Sequence, residues 1–135
     1  MTLCTWTAAG HHITRVADQL AAGRITSGRW IVDISFVRRC PQEAAAIRQA
    51  FGLNAIRVTK THAKFVILTN DRWQLVTRTS MNLNTNPRLE NFTVAHDPPL
   101  ASFLTAAVDD LWRSQARTLA DDRHKTMNQW WHTHG

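Results

Sequence analysis

The stretch Thr61 to Val94, THAKFVILTNDRWQLVTRTSMNLNTNPRLENFTV, holds the residue types best suited to chemistry on a phosphoryl group. His62 and Lys64 are separated by one residue at the start of an apolar run that reads as a strand, so their side chains should leave the same face. Ser80 and Asn82 repeat that spacing after the next strand. A lysine ammonium supplies a point charge and an asparagine carboxamide supplies neutral N–H donors; both suit the non-bridging oxygens of a phosphodiester. A histidine can attack phosphorus and carry the phosphoryl group covalently. Each residue alone has a plainer explanation. His-x-Lys fits a solvent-facing strand edge, Asn82 precedes the loop-forming Asn84, Asn86 and Pro87, and Glu90 could pair with Arg88. Only convergence from neighbouring strands would make them a site.

The elements that must position these groups are partly legible. Ile13, Val16, Ala17 and Leu20 recur at helical spacing within His11 to Ala22, and Gly23 ends that helix. Trp30 to Val37 (WIVDISFV) is rich in β-branched and aromatic residues and reads as a buried strand. Pro41 opens a second helix, with Glu43 in its first turn and Gly52 after its last. Strands are predicted at Ala55 to Val58, Ala63 to Leu68, Trp73 to Thr77 and Asn91 to Ala95, with Asn70-Asp71 as a turn. Asp97 caps a long helix whose first residue is Pro98. Its predicted buried face is Leu100, Phe103, Leu104, Ala107, Val108, Leu111 and Trp112. This order implies an α/β fold, a layered α-β-α sandwich on a mixed sheet. The sheet is mixed because connections after Ala63 are too short for parallel crossovers.

At 135 residues, 44% of them hydrophobic, the chain suits a single domain with a real core. Residues 119–135 form a polar segment carrying Trp130 and Trp131, read as a tail beyond that domain or as a partner-docking arm. The formal net charge is +6 with no block of like charges, so a folded surface should attract polyanions, nucleic acid first among them. No apolar run would span a membrane and no signal peptide precedes the first helix, so the chain reads as cytoplasmic, with no membrane partner. Cys4 and Cys40 are too few for a disulfide framework, and a bridge between them is not favoured. The pairs His11-His12 and His132-x-His134 lack a third ligand at workable spacing; no metal and no cofactor is expected. Trp30, Trp73 and Trp112 read as core or rim aromatics.

His62-Ala63-Lys64, Ser80-Met81-Asn82 and the downstream Glu90 resemble the signature of the phospholipase D superfamily: His-x-Lys, four residues, Asp, then Gly-Ser-x-Asn and a later Glu. The matched stretch covers about a quarter of the chain. Thr69 stands at the position of the family's Asp and Thr79 at that of its Gly; tyrosyl-DNA phosphodiesterases, members of that superfamily, also lack the Asp. The resemblance implies one half of the phospholipase D-like fold and a metal-independent phosphodiesterase. One His62 would attack phosphorus, and a second histidine would protonate the leaving oxygen and then activate water. The chain has one such motif, so the second copy of His62 must come from a homodimer with the site on its twofold axis. In the same reading Glu90 orients the imidazole, while Lys64 and Asn82 clamp the phosphate with help from Ser80. Arg72, Arg78 and Arg88 are expected to flank the pocket and hold further phosphates. Nucleic acid, DNA before RNA, is the expected substrate. A phosphate-binding module that has lost turnover is the alternative, and a phospholipid phosphodiesterase comes third.

Overall fold

A computed structural model describes residues 1–115. The element order is β1 (Thr2–Thr5), α1 (Gly10–Ala21), β2 (Arg29–Asp33), α2 (Ile34–Arg39), α3 (Pro41–Phe51), β3 (Ile56–Thr59), β4 (Phe65–Thr69), β5 (Gln74–Thr79), β6 (Phe92–His96) and α4 (Pro98–Ser114). The strands form one six-stranded mixed sheet in the order β3-β2-β1-β4-β5-β6. β1, β2 and β3 are parallel; β4, β5 and β6 run antiparallel to their neighbours on the other side of β1. The chain is therefore mixed α/β with helices on both sheet faces, and the mixed pairing follows the expected connection lengths.

Two elements depart from the sequence reading. β1 lies in Met1 to Gly10, a stretch too short and too polar to show period-2 patterning, yet all four of its residues are buried. It is the central strand, held by β2 and β4, whose residues are remote in sequence. The run Trp30 to Val37 is not one strand. At Asp33 the chain leaves the sheet because the carboxylate Oδ1 accepts the Ser35 N–H at 2.9 Å and caps α2. Phe36 then reaches the core from a helix instead of from the sheet. Apolar composition permits either arrangement, and the local cap decides between them.

The remaining boundaries fall within two residues of expectation. Pro41 opens α3, and Gly52 closes it at φ 98°, a backbone conformation that favours glycine. Asp97 caps α4 by accepting the Leu100 N–H at 3.0 Å. Residues 119–135, with Trp130, Trp131, His132 and His134, lie outside the described residues.

Strand alternation divides the core. Leu3, Trp30, Val32, Ile56 and Val58 pack with Ile13 of α1, Phe36 of α2, and Ala44 and Ile47 of α3. Cys4, Ile31, Ile67 and Val76 face α4, meeting Ala101, Val108 and Leu111. Trp30 is fully buried and meets the Phe51 ring edge-on at 5.5 Å. That packing brings Phe51 against Gly28, where a β-carbon would come within 2.6 Å of the ring. Cys4 and Cys40 are free thiols on opposite faces of the sheet. Phe103 does not join the core as expected: it is 69% exposed, and Ala107 also faces outward. The α1–α3 layer stops short of β4–β6, so Leu68, Phe92 and Val94 remain exposed on that sheet face. No helix among the described residues is long and apolar enough to cross a membrane.

Candidate active site

The parallel strands all end on the same side, and the chain changes direction there. From β1 it proceeds through α1 to β2 on one side; β4 joins β1 on the other. In open α/β sheets, ligands bind in the crevice outside the carboxyl ends of the strands at such a switch point. Trp6 follows β1, Asp33 closes β2, and residues 60–64 lead from β3 into β4. His62 and Lys64 lie on that lead-in, because β4 begins only at Phe65 and not at Ala63 as expected.

Lys64 Nζ donates to His62 Nδ1 at 2.8 Å and to the His62 carbonyl at 2.6 Å. Because an ammonium can only donate, Nδ1 is the acceptor and the neutral imidazole keeps its proton on Nε2. The Trp6 ring lies 5.9 Å from the His62 ring, centroid to centroid, and the Arg39 guanidinium sits 4.5 Å above the same indole. Asn82 arrives from the extended segment after β5, and its Oδ1 accepts the Trp6 N–H at 3.2 Å. This bond fixes the carboxamide: its oxygen is turned to the backbone, and its N–H₂ is left as the donor end. Histidine, lysine and asparagine thus gather at one end of the sheet, linked through Trp6.

The lead-in loop is tied down from two sides. Asp33 Oδ2 accepts the Thr61 N–H at 3.3 Å, while Oδ1 accepts both the N–H and the hydroxyl of Ser35. Partial burial alone would raise the Asp33 pKa. The bonds from Ser35 and Thr61, with the Arg39 charge, outweigh that and hold it below the usual carboxylate value. From below, Cys4 Sγ contacts the Ala63 carbonyl at 3.5 Å and Thr61 Oγ1 at 3.9 Å. Burial pushes this thiol up to about 11, against smaller opposing effects of Thr61 and Lys64, so it stays a neutral packing group.

The other expected site residues are more dispersed. Ser80 Oγ donates to Glu90 Oε2 and accepts the Asn91 N–H at 3.1 Å, pinning the two ends of the 80–91 loop together. Among the described residues Glu90 bonds Ser80 and not His62, so in this conformation it does not orient the imidazole. Arg72 lies in the β4–β5 turn over the Trp73 ring, at the opposite end of the strands from Lys64. Arg78 pairs with Phe65 and so points to the α4 face, whereas Lys64 lies across from Thr79 on the other face. Neither arginine flanks the pocket as expected, because hairpin position and strand parity send both away. Arg88 is exposed in the 80–91 loop. Thr69, at the position of the superfamily's aspartate, closes β4 opposite Gln74, roughly 17 Å along the strand from Lys64. A carboxylate there would not meet a phosphate held by Lys64.

Trp6, Arg39, Asp33 and His12 were not anticipated as parts of the site. The Asp-x-Ser pattern inside WIVDISFV was the available signal for Asp33; Trp6 could not be placed without β1. His12 lines a groove of about 350 Å³ together with Lys64 and Asn82. Its pKa is lowered by burial and by the neighbouring His11 and Arg15 charges, which favours the neutral imidazole. No protein-family model matches this chain, and no curated protein gives a significant match.

Proposed function

We propose that this chain is one half of a metal-independent phosphodiesterase that acts on nucleic acid as a homodimer, with half of a phospholipase D-like fold. The observation that carries this reading is the gathering of His62, Lys64 and Asn82 at the carboxyl end of the sheet, with the Asn82 amide held donor-outward. Such a set offers an ammonium and a neutral N–H to two phosphate oxygens, and an imidazole to phosphorus.

The steps follow from this geometry. An entering phosphate competes for the Lys64 ammonium and draws it off His62 Nδ1. Attack by Nε2 then requires the ring proton to move to Nδ1. The P–N bond forms as the P–O bond to the leaving group breaks, and the leaving oxygen takes a proton from the partner's His62. In the second step that imidazole removes a proton from water, the water oxygen attacks phosphorus, and the P–N bond breaks. Two imidazoles are needed because attack and departure occur on opposite sides of phosphorus.

The test is cleavage of end-labelled oligonucleotides in EDTA by the wild type and by His62→Ala. Cleavage that persists under chelation and falls at least 10³-fold in the variant is the expected outcome, of the order seen when a covalent nucleophile is removed. Turnover that is absent from every phosphodiester tried, or indifferent to His62, overturns the reading. A binding module without turnover is the second reading. It is favoured by the two bonds that occupy the catalytic groups, Lys64 to His62 and Ser80 to Glu90, which leave no carboxylate to hold the attacking tautomer. Binding that weakens with Lys64→Ala but never leads to cleavage would select it.

A further inference from the structure

The groove that contains His12 opens beside the phosphate-binding groups, since Lys64 and Asn82 line it too. Val66, Leu83, Met81 and Phe92 line it together with the polar His12 and Asn84. Phe92 is 63% and Met81 40% exposed, beside the half of the sheet face that no helix among the described residues covers. Among the described residues Phe92 sits on β6, an edge strand whose five residues are all exposed. An aromatic ring and a thioether left in solvent next to an ammonium and a carboxamide call for an occupant that is flat, largely apolar on its faces and joined to a phosphate.

We propose that this groove receives an unstacked nucleobase next to the bound phosphate, and that the substrate is therefore single-stranded nucleic acid. The proposal rests on the phosphodiesterase reading and narrows its substrate. A base offers Phe92 and Met81 a stacking face, which is sequence-tolerant because every base has one. Its polar edge meets His12 and Asn84, groups that a hydrocarbon chain would leave without partners on burial. A neutral imidazole, the form that burial favours for His12, can both donate and accept there. The net charge of +6 favours a polyanion over a neutral ligand. A base paired in a duplex cannot enter without being unstacked and unpaired, so a duplex should bind less well.

The experiment compares three labelled probes of equal length by fluorescence anisotropy with the full chain. They are oligothymidylate, the same strand in a duplex with oligoadenylate, and a deoxyribose-phosphate oligomer lacking all bases. Oligothymidylate is expected to bind roughly 10- to 100-fold more tightly than the baseless oligomer, the range that one or two stacked bases supply. Phe92→Ala, and Met81→Ala as a second surface variant, should remove most of that difference while leaving baseless binding unchanged. Equal affinity for the two single strands, or preference for the duplex, overturns the proposal while leaving the phosphodiesterase reading intact. Binding of no probe in a Lys64-dependent way overturns that reading as well. Phe92-dependent capture of phosphatidylglycerol vesicles in place of oligothymidylate would assign the groove to an acyl chain. A Phe92→Ala variant that turns a dimer into a monomer on sedimentation would assign it to a second copy; either result sinks the nucleobase proposal.

Discussion

Asn82 illustrates how one hydrogen bond sets a side chain's chemistry. With Oδ1 committed to the Trp6 N–H, only its donors can meet a ligand. Asn82→Asp keeps the acceptor and replaces the donors with negative charge. This variant is expected to melt within a few degrees of the wild type yet bind oligonucleotides at least tenfold more weakly, and more weakly than Asn82→Ala. Anisotropy and thermal melts together check it; a wild-type affinity would mean that Asn82 does not face phosphate.

Asp33 makes a different contribution at the same scale, because its carboxylate both caps α2 and ties down the loop bearing His62. Its folded pKa lies below the unfolded value, so its stabilisation is present in full above the ordinary carboxylate range. It is lost as pH falls through the unfolded and then the folded value. Asp33→Ala should cost about 1 kcal/mol at pH 7, the typical worth of an N-cap, and the gap from wild type should shrink as urea unfolding is repeated toward pH 3. A gap that widens on acidification would reverse the assigned sign. The neutral Cys4 thiol gives a third expectation: at pH 8 a group titrating at about 11 is thiolate in roughly one molecule per thousand. Alkylation of the folded protein should therefore spare Cys4, as peptide mass mapping would read out.

At the scale of elements, α4 tests how an apolar stripe is resolved. The sequence marks seven apolar positions, but a helix lying on a flat sheet buries only the line that touches it. Of the seven, Val108 and Leu111 are buried and Leu100, Leu104 and Trp112 pack partly against the core; Ala101, which was not among them, is buried as well, while Phe103 stands 69% exposed. Leu111→Ala should destabilise by about 2–5 kcal/mol, as for other leucines cut back in a core, whereas Phe103→Ser should stay within about 0.5 kcal/mol. Chemical denaturation of both variants decides which side of α4 faces the sheet. The same reasoning explains the open half-face. Three helices cover the parallel strands, whereas among the described residues no helix lies in the connections that join β4, β5 and β6.

For the whole molecule, the proposed reaction needs two imidazoles and the chain offers one at the clamp. Sedimentation equilibrium is expected to give twice the chain mass at micromolar concentration, and a monomer that still cleaves would contradict the shared site. Oligonucleotide affinity should fall linearly with salt on a double-logarithmic plot, since phosphate contacts release counterions. Loss of that slope in Lys64→Ala by about one unit would count Lys64 among the contacts.

Signals carried by near neighbours were legible without coordinates. Pro41 and Gly52, Asp97 and Pro98, and the helical stripe of α1 mark their elements because caps, fixed φ and 3.6-residue periodicity act over a few residues. The association of His62, Lys64 and Asn82 was legible as residue type and spacing. Tertiary structure alone decided the rest. β1 is buried because of partners far along the chain, and Trp6 with it enters the site. Strand parity turned Arg78 to the other face, hairpin position carried Arg72 to the far end, and a loop closure gave Glu90 to Ser80. Those outcomes depend on which surfaces meet across the sheet, and pairing between distant segments leaves little trace in local sequence.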